Sequence, residues 1–160
     1  MKKLLLFILP FAAAFFTACT PESIIDETEL PAKEAKRILI LSEGFFGDNR
    51  ASLSHYDFEN QALTKDYFIA VNQRLLGDTA NDAIRYGAKI YIVVNSSSTV
   101  EVMDASTGKS LKQIPMKTAG NQAKQPRYAA AYGGKVYVTS HDDTVTRIDT
   151  TTLSIDGSVQ

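Results

Sequence analysis

The sequence has few of the residues that would indicate a disulfide framework, a zinc centre or a nucleic-acid interface. It has one cysteine and no tryptophan, and its 17 basic and 18 acidic side chains give a formal net charge of -1 at pH 7. A single cysteine cannot form an internal disulfide, and it excludes a zinc site built from several cysteines. The near-neutral charge, with no basic run beyond Lys2-Lys3, offers no attraction for nucleic acid. With 160 residues and 44% hydrophobic content, the chain is predicted to form one small domain.

Motifs of enzymatic chemistry are also missing from the sequence. It has no Gly-x-Ser-x-Gly nucleophile elbow, no phosphate-binding loop and no EF-hand loop. The run His141-Asp142-Asp143 contains metal-ligating residue types, but consecutive residues in a tight turn rarely point at one ion. His55 lies in a predicted strand, where a packed or paired histidine is the simpler interpretation. We therefore predict a protein that is not an enzyme and has no metal site and no cofactor.

The N-terminus has the pattern of an export signal. A short basic start, Met1-Lys2-Lys3, precedes an apolar run over residues 4–18 that is interrupted by Pro10. This run is shorter than the roughly 20 residues that a membrane-spanning helix needs. We predict a signal peptide over residues 1–18.

The only cysteine, Cys19, follows this segment directly. Phe16-Thr17-Ala18-Cys19 resembles a bacterial lipobox, with Phe16 in place of the usual leucine. The resemblance implies cleavage before Cys19 and anchoring to the lipid bilayer through its acyl chains. The alternative is a plain secretory signal followed by an incidental cysteine.

Residues 19–36 contain two prolines and several acidic residues, which is typical of a solvated tether. An acidic stretch after a lipidated cysteine also resembles the surface-export signals of Bacteroidetes lipoproteins, which implies an outer-membrane lipoprotein facing the cell exterior.

The remainder of the chain contains an internal repeat. Residues 86–95 match residues 132–141, residues 100–104 match 145–149, and a more diverged copy lies within residues 37–57. A period of about 45 residues made of short β-rich runs is typical of β-propeller blades. We predict an all-β domain over residues 37–160, built from blades of four antiparallel strands, with about three blades present.

The strands follow from β-branched and aromatic runs bounded by turn residues. They are predicted over residues 37–41, 51–57 and 62–68 in the first copy, 82–86, 89–95, 99–104 and 110–116 in the second, and 127–132, 135–141, 144–149 and 153–159 in the third. The first copy lacks an innermost strand. Because closed propellers need at least four blades and commonly have seven, we expect this sequence to be the N-terminal part of a longer, seven-bladed protein. A natural short protein, the alternative, would expose two open blade edges.

In each copy the third strand of the blade ends in an aspartate followed by a polar turn. In the first copy, which lacks the innermost strand, this is the strand over residues 51–57. The aspartates are Asp57, Asp104 and Asp149. A carboxylate at this position can accept hydrogen bonds from backbone N–H groups two or three residues further on. We therefore interpret the three aspartates as structural.

Two family resemblances rest on these runs. Tyr91-Ile92-Val93-Val94-Asn95 and Tyr137-Val138-Thr139-Ser140 are similar to the Tyr-Val-Thr-Asn repeat propellers. A narrower resemblance, over residues 42–57 and 72–78, is to the surface cobalamin-binding propeller lipoproteins of Bacteroidetes and their uncharacterised relatives, although Ser42 replaces the usual asparagine. This second resemblance implies a seven-bladed propeller that passes cobalamin to an outer-membrane transporter.

One end of a propeller is built from the loops between second and third strands and from the loops that enter the next blade. Here these are residues 43–50, 72–81, 95–98, 117–126 and 141–143. Their aromatic, amide and guanidinium groups suit a large polar ligand. The candidate ligand-binding residues are Phe45, Phe46, Asn49, Asn72, Gln73, Arg74 and Arg127. The alternative for the two phenylalanines is local packing of a long loop, and for Arg127 it is solvation of the central channel.

These observations lead to three hypotheses. The first is a surface-anchored ligand-binding lipoprotein, with cobalamin as the specific ligand and an outer-membrane transporter as partner. The second is a cell-surface scaffold that binds protein or glycan through the same loops. The third is a propeller enzyme whose active residues lie in further blades.

Overall fold

The computed structural model describes residues 35–160. The predicted signal peptide (1–18), Cys19 and residues 19–34 of the predicted tether lie outside the described residues. In the part of the chain that is described, no helix is both long enough and apolar enough to cross a membrane.

Three antiparallel sheets and one short helix make up the described domain, and this confirms the all-β prediction. The first sheet contains β1 (Arg37–Ser42), β2 (Ser52–Asp57) and β3 (Ala62–Thr64), and it is followed by the helix α1 (Tyr67–Asn72). The second sheet contains β4 (Ala80–Tyr86), β5 (Lys89–Val94), β6 (Thr99–Asp104) and β7 (Ser110–Pro115). The third contains β8 (Pro126–Tyr132), β9 (Lys135–Ser140), β10 (Val145–Asp149) and β11 (Ser154–Val159).

Each sheet is a meander in which neighbouring strands in the sequence pair with each other. In the second sheet Tyr91 lies opposite Ile84 and Val102, and in the third Tyr137 lies opposite Ala130 and Arg147. The two four-stranded sheets therefore repeat the same pairing with equivalent residues. Among the strands that the structure describes, β1 pairs with β2 alone, so three described strands make up the first sheet.

The core consists of two apolar layers, one on each side of the second sheet. Ile90, Ile92 and Val94 lie in a layer with Leu53 and Leu41 of the first sheet. The alternate residues of β5, Tyr91 and Val93, lie in a second layer with Val136 and Val138 of the third sheet. Since both faces of β5 are covered, it is apolar at nearly every position rather than at alternate ones. Each fully buried aliphatic side chain of this kind stabilises the fold by about 1.5–3 kcal/mol.

The third strand of the first sheet, β3, is shorter than the strand predicted over residues 62–68. Strand β3 ends at Thr64, and the chain turns at Asp66 (φ 51°) into α1. The helix buries Phe68, which is 1% exposed, in the layer shared with Leu53 and Leu76. The local apolar run is compatible with a strand or a helix, and the space beside β2 that Phe68 fills decides between them.

The three repeated aspartates close their turns as predicted. The Asp57 carboxylate accepts a hydrogen bond from the Asn60 N–H at 2.8 Å. Asp104 accepts from the N–H groups of Ser106 and Thr107, and Asp149 from those of Thr151 and Thr152. These donors favour the ionised form. The hydroxyl of Ser106 and the N–H of Thr107 hold the pKa of Asp104 well below its ordinary value.

Candidate ligand-binding face

Four of the five loops predicted to form one ligand-binding end lie at one end of the three sheets, and the fifth, residues 72–81, reaches this end only from Gly77 onward. We call this end the loop face; it comprises residues 43–51, 77–79, 95–98, 116–125 and 141–144. Neighbouring loops are joined by hydrogen bonds. The N–H of Asn95 donates to the Thr79 carbonyl at 2.8 Å, and the N–H of His141 donates to the Lys124 carbonyl at 3.1 Å. The loops therefore form one continuous surface across the sheets.

Phe45 and Phe46 occupy the tip of the first of these loops. Their exposed fractions are 80% and 82%. A turn in which the Asp48 N–H donates to the Phe45 carbonyl at 3.2 Å shapes the tip. At Gly44 the backbone has φ 79°, and an added Cβ would lie 2.8 Å from the Arg50 carbonyl group. Only glycine fits there without strain, so the chain can turn the two rings away from the sheets.

Hydrogen bonds at three points along this loop hold it on the junction of the first and second sheets. The Gly47 N–H donates to the Asp78 carboxylate at 2.9 Å, and the Asn81 side-chain amide donates to the Glu43 carboxylate at 2.7 Å. At the base, the Ala51 N–H donates to the Gly77 carbonyl at 3.0 Å. The loop is thus anchored at its middle and at both ends while the rings remain exposed.

Two other candidate residues also lie on the loop face. Asn49 is exposed, has φ 53° and belongs to the same loop as the phenylalanines. Arg127 lies at the loop-face end of β8, and its guanidinium carbon is 5.5 Å from the centre of the Tyr128 ring. Tyr128 is itself 58% exposed. Arginine and tyrosine therefore add a cationic group and a third exposed ring to this surface.

Asn72, Gln73 and Arg74 lie in the connection formed by α1 and are not brought to the Phe45–Phe46 loop. The Asn72 side chain donates to the Gly108 carbonyl at 3.0 Å and accepts from the Ser110 N–H at 2.7 Å. These partners belong to the turn after β6, at the end of the sheet opposite the loop face. The Gln73 side chain donates to the Ala70 carbonyl within its own helical turn at 2.9 Å.

Arg74 is paired with a buried carboxylate. Its guanidinium donates to Glu101 at 2.7 Å and to the Ser110 hydroxyl at 2.9 Å, and it lies 4.9 Å from the Phe68 ring centre. The Ser110 hydroxyl donates to the other Glu101 oxygen at 2.5 Å. The Glu101 side chain is fully buried. Because an unpaired buried carboxylate is strongly unfavourable, Arg74 has a structural partner in the second sheet.

Two residues of the loop face were not among the candidates. Asp78 fixes the phenylalanine loop by accepting from the Gly47 N–H. Lys124 is a nearly buried lysine in the loop between β7 and β8. A glycine before Asp78 could have indicated a turn, whereas nothing local distinguishes Lys124 from an exposed lysine.

The run His141-Asp142-Asp143 forms the turn between β9 and β10. Asp142 accepts from the Thr144 hydroxyl at 2.7 Å, a local contact that closes the turn. Within residues 35–160 no group of three or more His, Cys, Asp or Glu side chains could hold a metal ion.

Comparisons with solved structures agree with a propeller-like fold. A europium-containing methanol dehydrogenase matches with a TM-score of 0.54 at 14% identity, over 79% of this chain and 23% of its own. Hydrazine synthase from Kuenenia stuttgartiensis matches with a TM-score of 0.51 at 18% identity, over 67% of this chain and 29% of its own. AztD from Citrobacter koseri matches with a TM-score of 0.50 at 16% identity, over 73% of this chain and 31% of its own. The methanol dehydrogenase and AztD are β-propeller proteins.

This chain spans between about a quarter and a third of the length of those structures. At these identities the likeness concerns the fold alone, which is an all-β arrangement of propeller-like sheets. No curated protein matches the sequence. A family model described as "Domain of unknown function (DUF5074)" matches residues 36–160. Since that match covers most of the sequence, the chain belongs to the DUF5074 family.

Proposed function

We propose that this protein is a surface lipoprotein that binds a ligand through its loop face, with Phe45 and Phe46 as the apolar contact. The observation that carries the proposal is the exposure of two adjacent rings, at 80% and 82%, on a loop held by three hydrogen-bonded anchors. Burying a phenylalanine stabilises a protein by about 1.5–3 kcal/mol, and here neither ring is used in that way.

The alternative explanation of the two rings, local packing of a long loop, would require them to contact neighbouring side chains. Their exposure argues against it. Anchoring also favours a binding role, because a loop that is already ordered loses less conformational entropy when a ligand binds. Aromatic side chains also contribute much of the binding energy at interfaces.

The polar groups at the same end of the sheets suggest the class of ligand. Asn49 offers a donor and an acceptor, and Arg127 offers a planar cation that can bind a carboxylate or phosphate. A large organic molecule with apolar surface and polar substituents fits these groups. Cobalamin is our specific candidate, because the residues around this loop resemble those of cobalamin-binding surface lipoproteins. The proposal includes an anchor at acylated Cys19 and transfer to an outer-membrane transporter.

A second candidate function is a scaffold that binds protein or glycan through the same face. It is favoured by the third exposed ring, Tyr128, beside Arg127, since tyrosine and arginine are enriched at protein interfaces. Both functions use the loop face, and neither requires a reaction.

The test is a calorimetric titration of the full-length protein with cobalamin. Phe46→Ala is expected to weaken binding about thirtyfold, which corresponds to the roughly 2 kcal/mol typical of a central aromatic contact. The matched control is Phe58→Ala, because Phe58 is a half-exposed ring in the turn between β2 and β3, at the opposite end of the sheet. Absence of corrinoid binding at micromolar concentration would exclude cobalamin and leave the scaffold function. Equal loss of affinity in both variants would contradict the assignment to the loop face.

A further inference from the structure

Lys124 is a cation placed almost completely inside the protein. Its side chain is 9% exposed. The ammonium donates to three hydroxyl groups, those of Thr144 and Thr146 at 3.1 Å and that of Ser158 at 3.2 Å. These three hydroxyls satisfy its hydrogen-bonding capacity, but all of them are neutral. A buried ammonium is strongly unfavourable unless a negative charge compensates it.

The carboxylates of the described residues compensate the charge of Lys124 only weakly. Among the described residues the nearest carboxylate is Asp142, whose Oδ2 is 3.9 Å from the Lys124 Nζ. This distance exceeds that of a charge-assisted hydrogen bond, which is about 2.7–2.9 Å. The other carboxylate oxygen of Asp142 is already engaged with the Thr144 hydroxyl at 2.7 Å. By comparison, the buried Glu101 is paired with its arginine at 2.7 Å.

A depression of roughly 530 Å³ between the β7–β8 loop and the third sheet is lined in part by Lys124. Its wall includes a second lysine, Lys117, together with Thr118, Ser158 and Asp142. The Ser158 hydroxyl accepts from Lys124, and no residue from 35 to 160 accepts its own proton. The side chains that line the depression therefore include two lysines and a hydroxyl donor against one carboxylate.

We infer that this depression binds an oxyanion, the phosphate or carboxylate group of a small molecule. The anion receives hydrogen bonds from the Ser158 hydroxyl and the exposed Lys117 ammonium. Lys124 supplies the fixed positive charge at the base, where the low dielectric strengthens its attraction. Asp142 limits the site to one anionic group, because a second would lie against its carboxylate.

The site is separate from the phenylalanine loop. That loop lies on the junction of the first and second sheets, whereas the depression lies beside the third sheet. The proposed function therefore does not depend on it, and either proposal can fail without the other.

The experiment uses isotope-labelled full-length protein titrated with inorganic phosphate, and separately with acetate, at constant ionic strength. The expected result is a saturable shift of the Thr118, Thr144 and Ser158 amide resonances at millimolar anion. Response to phosphate alone identifies a phosphate site, and response to acetate alone a carboxylate site. If neither anion gives a saturable shift up to about 10 mM, the inference is overturned.

Variants then test the role of the buried lysine. Lys124→Met removes the charge at similar length and should raise the dissociation constant at least about tenfold, whereas Lys124→Arg should keep it within about threefold. Lys112→Met is the matched control, since Lys112 is an exposed lysine of β7 outside the depression. If Lys124→Met does not fold, Ser158→Ala replaces it, with an expected loss of about fivefold. Parent-like affinity in the folded variant would show that Lys124 only joins the loop to the third sheet.

Discussion

Replacing Arg74 by alanine should destabilise the protein and leave ligand affinity unchanged. The reason is Glu101, a fully buried carboxylate that accepts a 2.7 Å ion-paired hydrogen bond from Arg74. In Arg74→Ala the carboxylate keeps only the Ser110 hydroxyl as a side-chain partner. Breaking a buried ion pair in this way typically costs 3–5 kcal/mol.

The magnitude is expected near the lower end of that range, at about 3 kcal/mol. The Arg74 side chain is 37% exposed, so water can reach part of the space that its removal leaves. A second substitution tests the mechanism, because Glu101→Gln removes the charge that Arg74 compensates. In the Arg74→Ala, Glu101→Gln double variant we expect the combined loss to be smaller than the sum of the single losses by at least 1 kcal/mol, roughly the coupling of residues in direct contact.

The assay is urea denaturation of the full-length variants, followed by cobalamin titration of those that remain folded. Arg127→Ala is the matched control. Arg127 forms no ion pair with any of the residues that the structure describes, so its loss should change the free energy of unfolding by less than about 0.5 kcal/mol. A parent-like unfolding free energy in Arg74→Ala, together with a large loss of affinity, would refute the reasoning. It would show that Arg74 contacts the ligand.

Three further predictions address other parts of the chain. The Lys135 ammonium and the N–H groups of the turn hold the pKa of Asp149 below its unfolded value, so the stability that Asp149 contributes is present above about pH 4 and is lost as the pH falls further. Asp149→Asn should therefore flatten the acid-induced loss of stability, measured by urea denaturation at pH 3 and pH 7. An unchanged pH dependence would contradict this. The Tyr91 hydroxyl is buried without a hydrogen-bond partner among residues 35–160, so Tyr91→Phe should be neutral or raise the melting temperature; a loss above about 1 kcal/mol would reveal an overlooked partner. Cys19→Ser should abolish incorporation of a labelled fatty-acid analogue, and equal labelling of variant and parent would exclude the lipid anchor.

The strand pattern of the second and third sheets could be predicted from the sequence because it repeats. Strand β6 was predicted with the bounds that the structure has, and the other strands of these sheets within one or two residues. The turn aspartates were predictable for a related reason, since their hydrogen bonds are local and depend on a few neighbouring residues. Helix α1 was not predictable, because its conformation depends on how Phe68 packs beside β2, and that packing cannot be deduced from the local sequence.

The candidate site was predicted less completely than the fold. Topology assigned residues 43–50 and 72–81 to the same end, and the structure places the first of these loops there. The second begins at the opposite end and runs along the second sheet before it reaches Gly77. A loop assignment from strand order gives the position where a connection ends, but it does not give the path of each side chain within it. For this reason Asn72 and Arg74 were grouped with the phenylalanine loop, while Asp78, six residues after Asn72, was not.

The anchoring by Asp78 links the position of the phenylalanine loop to the packing of the sheets. Phe45 and Phe46 contribute little to stability because they are exposed, so substitutions there can change recognition without unfolding the domain. Their position, however, depends on Gly77 and Asp78, and an added Cβ at Gly77 would lie 2.7 Å from the Val94 side chain at the end of the buried strand β5. A change in how the first and second sheets pack would therefore move the binding loop. The proposed ligand-binding loop can therefore vary freely only at its tip, because its base is constrained by the core.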